Sequence, residues 1–504
     1  MLWNMTSHYT LKALDIGINT HQEAVAYMRE DCHVCRAEGF TAKSRVKINH
    51  GSRSVVATVN VVDNDVLPEG HVGLSKVAIQ RLGVGLGDDV VIGHADVVAS
   101  LAAVRKKVFG NPLDGTDMQA IITDISDHLY SDIEIATFLS VCAGGRLDTD
   151  EIVYLTQAMV NAGKRLHWPG REAVYDKHCI GGLPGNRTTP LVVSIVSAAG
   201  HVMPKTSSRA ITSPAGTADT MEALTNVNLE LADIRRVVNE TGACLTWGGA
   251  VNLSPADDVL IRIERALDLD GEGQMIASVL SKKIAAGSTH TLIDIPVGPT
   301  AKVRSGVDAG RLASLFTQVG AACGLKVRCV LTDGSQPVGR GIGPVEEARD
   351  LLAVLRCEED APSDLRERAL LLAGHVLDMA EHSGLEIAQQ KAMELLVSGE
   401  AYRQFLRIVE SQGGLKTLQD ARFQHAETAL LGGTLRSIDN RKLARLAKLS
   451  GAPSSPGAGL RLYVKVGDQV ATGAPLFTLY SESQGEQDYA LDYYRQNADM
   501  FVFE

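Results

Sequence analysis

Asp176 to Thr189 is the stretch of this chain whose residue types are best suited to chemistry. Lys177 and His178 stand directly before Gly181, Gly182 and Gly185, and an apolar run begins at Pro190. Glycines let backbone N–H groups approach an anion closely, and a helix N-terminus adds partial positive charge. Together they make an anion site beside an ionisable side chain. The spacing fits neither the GxxxxGK[ST] nucleotide loop nor the GxGxxG dinucleotide fingerprint.

Three further groups accompany it. Ser207, Ser208, Thr212, Ser213 and Thr217 supply hydroxyl donors around Arg209 and Gly216. Hydroxyls donate to phosphate oxygens, and a guanidinium can fork onto an anion. Alone, such a run reads as a loop and helix cap; after a glycine-rich loop that opens on Lys-His it reads as the second half of an anion site. Ser278 and Lys282 are four residues apart and share one helix face, with Asp268 and Asp270 just before them. Gly298 to Lys302 follows the strand-like Thr291–Ile295, and loops at the carboxyl ends of strands in α/β sheets commonly meet ligands.

The elements that must position these residues follow from periodicity. Residues 1–100 are β-rich: Arg53 to Val62 is dense in β-branched residues, glycine turns follow, and Asp89–Ile92 is strand-like. From 101 to 172 the period becomes helical, over Asp117–Ala143 and Thr149–Leu166, with Asp148 and Glu151 as an N-terminal cap signal. Helical character returns over about 256–290. Residues 173–255 and 291–420 alternate short apolar runs with amphipathic helices, the pattern of an α/β lobe. Strands are expected at Val202–Met203, Thr291–Ile295 and Lys326–Leu331. Helices are expected at Thr189–Ala199, Val345–Leu355, Asp364–Ser383 and Leu385–Ser398. In residues 421–504, Gly459 to Tyr480 alternates strands with glycine turns and resembles the half-barrel of lipoyl and biotinyl carriers, without their modified lysine between the halves.

Composition narrows the classes. The chain has 504 residues, 45% hydrophobic and 22% charged, ordinary for a globular protein of several domains. A net charge of −11 and the lack of any basic tract beyond Arg105–Lys107 argue against nucleic acid. No apolar stretch is long enough for a membrane span, and Met1 to Thr10 lacks the regions of a signal peptide, so a cytoplasmic location is expected. Eight dispersed cysteines read as free thiols. The pair Cys32 and Cys35 has no second ligand pair nearby for zinc and reads as two small side chains near a turn.

The motifs together resemble the thymidine/pyrimidine nucleoside phosphorylase family. Asp176–Asn186, Ser207–Ala210 and Pro214–Asp219 stand where that family has Asp-Lys-His-Ser-Thr-Gly-Gly-Val-Gly-Asp, Ser-Gly-Arg-Gly and Thr-Gly-Gly-Thr-Leu-Asp. The resemblance runs from about 101 to 482. It implies an α/β fold: a helical lobe plus an α/β lobe, with a β-rich N-terminal domain and a half-barrel C-terminal domain. It implies phosphorolysis of an N-glycosidic bond, with inorganic phosphate and a nucleoside or nucleoside monophosphate as substrates. Thymidine is the leading nucleoside. No metal or organic cofactor is implied, and a homodimer through the helical lobe, or a larger homo-oligomer, is.

Carried over by resemblance, Lys177, Thr189, Ser207 and Thr217 match phosphate-site positions, and His178, Ser278 and Lys282 match positions near the base. Cys179 replaces a serine of the family, and Ile263 replaces an arginine. The extra N-terminal domain, Pro184 and the run Ser207–Asp219 are most similar to the longer branch that contains the archaeal AMP phosphorylases. In that branch's pattern Gly182, Ser208, Arg209, Ala210, Ile211, Thr212, Ser213, Thr217, Ser278 and Lys302 match nucleotide-binding positions, and Asp270 the proton donor. AMP phosphorolysis to adenine and ribose 1,5-bisphosphate is therefore the alternative. The anthranilate phosphoribosyltransferases, which use pyrophosphate and magnesium, resemble the same fold.

Overall fold

A computed structural model describes residues 10–63, 65–210, 213–251, 253–269 and 271–504. The expectations placed on Ile211, Thr212 and Asp270 lie outside the described residues. The chain divides into two compact units, one of residues up to 111 with 123–138, the other of 112–122 with 139–504.

In the first unit six strands close into a barrel. Their order is Thr10–Asp15, His71–Leu74, Val25–Arg29, Arg53–Val62, Arg45–His50 and Asp89–His94. Alternation of side chains sends Val46, Ile48, Ala57, Val59, Val90 and Ile92 inward, where they are fully buried. Ser75 caps the short helix Lys76–Leu82 by accepting from the Ala78 N–H.

The second unit is built on parallel strands. Tyr175–Cys179 pairs with His290–Val297, which pairs with Lys326–Asp333. Met203–Ser207 pairs with Ala243–Trp247. The Tyr175 N–H donates to the Val202 carbonyl at 2.9 Å and links the two sets. Parallel strands need crossover helices, and these bury both faces of the sheet. The run after Pro190 forms the helix Thr188–Ala198, whose Leu191, Val192, Val193, Ile195 and Val196 are completely buried. The helix Thr149–Ala162 starts on the expected cap: Asp148 accepts from the Glu151 N–H at 2.8 Å and Glu151 reaches back to the Asp148 N–H at 3.1 Å. The helical stretch from 257 to 286 is two helices, Pro255–Leu267 and Glu272–Ala285, rather than one. At the C-terminus Gly341–Ile342, Gly459–Leu462, Pro475–Ser481 and Phe423–Thr428 form an antiparallel sheet, and Gln469–Val470, Gly433–Ile438 and Phe501–Phe503 a second. The anticipated fold class therefore holds, from β-rich N-terminal barrel to half-barrel C-terminus. No described helix is long and apolar enough to cross a membrane.

Periodicity misses the strand Tyr175–Cys179 and sets the strand beginning at Val202 too early and too short; it is Met203–Ser207. Both contain charged residues in mid-strand, where periodicity looks for apolar ones. Asp176, Lys177 and Lys205 are nonetheless buried, because each faces a buried opposite charge.

Candidate active site

The carboxyl ends of the parallel strands gather the residues singled out above. Cys179 and Ser207 end their strands, and Gly298–Lys302 follows Val297. Gly182 has φ +82°, and a Cβ there would stand 2.5 Å from the Lys302 backbone nitrogen. Only glycine lets the two loops meet this closely. Gly185, at φ +71°, has the Val338 and Gly341 carbonyl oxygens at 2.4 and 2.8 Å from its would-be Cβ, so it locks the other end of the loop against residues 338–341. Gly182 and Lys302 are both exposed at this edge.

Lys177 is fully buried. Its Nζ donates to Thr188 Oγ1 at 2.7 Å and lies 3.6 Å from Asp294 Oδ2. Asp294 in turn accepts from Thr332 Oγ1 at 2.7 Å. The ammonium expected to face phosphate is thus held beneath the first turn of the Thr188–Ala198 helix, where Thr189 is the next residue. Asp176, also buried, accepts from Lys205 Nζ at 3.0 Å and pairs with Lys283 Nζ at 2.8 Å. The two lysines hold the Asp176 carboxyl below its ordinary range against the cost of burial. Burial and the neighbouring Lys205 pull the Lys283 ammonium down, with Asp176 opposing them.

His178 is half-buried on the same strand. Burial first, then Lys283, Lys205, Lys282 and Lys177, push its pKa well below the usual histidine value. The ring is therefore neutral at neutral pH. Cys179, in the place of the family serine, has its thiol pushed up to about 12 by burial and by Asp294, so it is a protonated thiol rather than a nucleophile. The Asn186 amide donates to its sulfur at 3.3 Å.

The hydroxyl-rich loop is cinched by one carboxylate. Asp219 Oδ2 accepts from the Ala210 N–H at 2.7 Å and the Gly216 N–H at 2.8 Å. Arg209 already has partners within the protein. It grips Glu222, with Nη2 2.9 Å from Oε1, touches Asp219, and stacks 4.8 Å from the centre of the Trp247 ring. Glu222 ends the helix Thr217–Glu222 that follows the loop, and it satisfies the guanidinium internally, so Arg209 shapes the loop. Ser208 is exposed, Ser213 donates to the Ala215 carbonyl, and Ala210 is half-buried. Ser207 Oγ is buried without a hydrogen-bond partner, as are Thr246 Oγ1 on the adjoining strand and Asn186 Oδ1.

Sequence reasoning misses Arg187, because it sits inside the glycine motif and reads as part of it. Its Nη1 donates to Thr217 Oγ1 at 2.9 Å, its Nη2 to the Ala215 carbonyl at 2.8 Å and its Nε to the buried Glu347 at 2.7 Å. One guanidinium thus ties the glycine loop to the hydroxyl loop. Ser278 and Lys282 meet as their spacing requires: Lys282 Nζ is 3.0 Å from Ser278 Oγ, and 2.8 Å from Asp257 Oδ2. Beside Asp257, Asp258 keeps its proton up to about pH 6, through crowding by protein and the Asp257 charge. Lys282 is one of four lysines whose charge lowers the His178 pKa, after burial.

Comparison with known proteins shows the family to which the chain belongs. Residues 171–402 match the model of the glycosyl transferase family a/b domain, 101–163 the helical bundle domain of the same family, and 434–500 the pyrimidine nucleoside phosphorylase C-terminal domain. A protein of Acidovorax sp. (strain JS42) named "Putative thymidine phosphorylase 2" is 54% identical over 97% of this chain and 96% of its own. One of Legionella pneumophila subsp. pneumophila named "Putative thymidine phosphorylase" is 52% identical over 98% of this chain and 95% of its own. Among solved structures, anthranilate phosphoribosyltransferase from Thermus thermophilus shares the fold, with a TM-score of 0.51 at 21% identity over 62% of this chain and 99% of its own.

Proposed function

As the chain belongs to the thymidine and pyrimidine nucleoside phosphorylase family, and is a pentosyltransferase of thymidine phosphorylase type, we propose that it cleaves thymidine with inorganic phosphate to thymine and 2-deoxyribose 1-phosphate. The observation that supports the reading is the fastening of the glycine loop: Lys177 donates to Thr188 at the start of the helix behind it, and Arg187 ties the loop to Thr217 of the hydroxyl-rich loop.

Phosphate binds, in this reading, at the start of the Thr188–Ala198 helix, against the Gly181–Gly185 loop, Thr189, Ser207 and Thr217. Lys177 supports it from beneath through Thr188, its charge little screened in the buried setting. Gly182, Ser208, Ser213 and Lys302 line the sugar side. Phosphate oxygen attacks the anomeric carbon as the bond to the base breaks. Positive charge grows on the sugar, where the bound anion offsets it, and negative charge grows on the base, where Lys282 and Ser278 receive it. His178, kept neutral by burial and then by the lysines around it, offers a ring N–H to the base rather than a mobile proton. The proton for the base then falls to a carboxyl group, and Asp270, which matches the proton donor in the AMP phosphorylase pattern, is the candidate.

The test is release of base and of sugar phosphate from thymidine, uridine, cytidine and AMP under saturating phosphate. Thymidine should turn over fastest. Rapid turnover of AMP with none of thymidine overturns the substrate assignment while leaving the phosphorolytic site intact.

A further inference from the structure

The C-terminal half-barrel takes no part in the chemistry above, yet two of its residues reach the loops against which the glycine loop is packed. The first is Lys465, in the turn between the strands Gly459–Leu462 and Gln469–Val470. Its Nζ donates to the Pro337 carbonyl at 2.9 Å, to the Gly339 carbonyl at 2.7 Å and to Asp364 Oδ2 at 2.6 Å. An ammonium has three donors, and here each meets an acceptor. Asp364 closes the grip from the other side, accepting from the Gly339 N–H at 3.1 Å. The gripped segment is the one that backs Gly185. The Val338 N–H donates to the Pro184 carbonyl at 3.2 Å, and a Cβ on Gly185 would stand 2.4 Å from the Val338 carbonyl oxygen. The second residue is Asn440, fully buried at the start of the helix Asn440–Leu449. Its side-chain amide donates to Thr300 Oγ1 at 3.0 Å and to the Gly334 carbonyl at 3.1 Å, and its backbone N–H donates to Thr300 Oγ1 at 3.1 Å. Thr300 belongs to the loop 298–302, whose Lys302 nitrogen is the atom that Gly182 approaches.

The glycine loop needs such support. Residues 180–187 lie between the strand Tyr175–Cys179 and the helix Thr188–Ala198, with Gly181, Gly182 and Gly185 all at positive φ. Glycine has the most backbone freedom to lose on ordering, so neighbours must impose the shape of this loop. Backbone N–H groups hold an anion tightly when they are fixed in place before it arrives. We propose that Lys465 and Asn440 are positioning residues for inorganic phosphate, through which the half-barrel braces both ends of the glycine loop. Lys465 acts through Pro337–Gly339 on Gly185, and Asn440 through Thr300 and its loop on Gly182. The proposal rests on the reading that phosphate binds against Gly181–Gly185.

The test is steady-state kinetics of the full-length protein, with whichever of thymidine, uridine, cytidine and AMP the wild type turns over, so that the result does not depend on thymidine. Lys465→Met keeps the aliphatic stem and removes the ammonium; Asn440→Ala removes the amide. Each should raise KM for inorganic phosphate about fivefold, with kcat and KM for the second substrate changed by less than about twofold. Thermal melts check that each variant is folded. Phe477→Leu, in the half-barrel core against Tyr494 and outside both grips, should lower the melting temperature and leave KM for phosphate unchanged. Thr189→Val is the reference, because the reading places Thr189 against phosphate. If Thr189→Val raises KM for phosphate while Lys465→Met and Asn440→Ala do not, the proposal is overturned and the reading stands. A rise in only one of the two removes the other residue from the brace and overturns the claim that both ends are held. If Thr189→Val also leaves KM for phosphate unchanged, the phosphate site lies elsewhere and the proposal falls with the reading. An equal rise in Phe477→Leu would reduce both grips to general stability and equally overturn the proposal.

Discussion

His178 shows how residue neighbours set chemistry that residue type leaves open. An isolated imidazole titrates near pH 6.5 and would serve as acid or base at neutral pH. Half-buried, and then among Lys283, Lys205, Lys282 and Lys177, it stays neutral well below that value. The unfolded chain takes up a proton at the ordinary pKa while the folded chain does not. Stability is therefore full above about pH 6.5 and falls as the pH drops from there toward the folded-state value, by up to about 1.4 kcal/mol per pH unit. Denaturant melts at stepped pH should show His178→Gln with a shallower loss than the wild type between about pH 6.5 and about pH 5. Parallel curves would mean that the ring titrates normally. Lys177 teaches a related point. Removing it strips Asp294 of its buried partner, a change that typically costs about 3–5 kcal/mol, so a loss of activity in Lys177→Ala mixes phosphate binding with stability.

At the scale of elements, the site depends on fastening loops that have little regular structure of their own. Asp219 closes the hydroxyl loop on itself, and Arg187 ties it to the glycine loop through Thr217 and the Ala215 carbonyl, with Glu347 as its buried anchor. Lysine reaches with a single point charge and cannot keep three directed bonds at once. Arg187→Lys should therefore retain the Glu347 pairing and the fold but let Thr217 drift. Steady-state kinetics should show KM for phosphate raised about tenfold, the equivalent of about 1.4 kcal/mol, with kcat changed less. An unchanged KM would take Thr217 out of the phosphate site. The helix Glu272–Ala285 plays a comparable part: consecutive residues point Lys282 to Ser278 and Asp257, and Lys283 into the buried Asp176 pair. One turn of helix thus serves both the base side and the sheet.

At the scale of the molecule, the first unit presents apolar side chains that its own core does not use. Phe109 is 82% exposed and Ile133, on the helix Asp132–Cys142, is 78% exposed. Single exposed apolar groups are common on protein surfaces; it is the family resemblance that assigns the helical lobe to a homodimer. Sedimentation should give a dimer, and Ile133→Glu should shift it toward monomer without lowering the melting temperature of the monomer; a wild-type monomer would refute the assignment. Much of this protein is legible in the sequence alone. Glycine spacing, helical period and the Asp148–Glu151 cap are local properties, and they determine the anion-site motif, the α/β class and the i, i+4 pairing of Ser278 with Lys282; phosphorolysis comes from the family resemblance. What the sequence does not decide is the long-range partners of charges. The strand Tyr175–Cys179 is invisible to it because a buried Asp or Lys looks like a surface residue until its counter-ion is known, and Lys205 and Lys283 lie far along the chain from Asp176. For the same reason the pairing of Arg209 with Glu222 and the lowered pKa of His178 are not written in the sequence. Electrostatics depends on distance in space and on exclusion of water, and only the tertiary fold sets those.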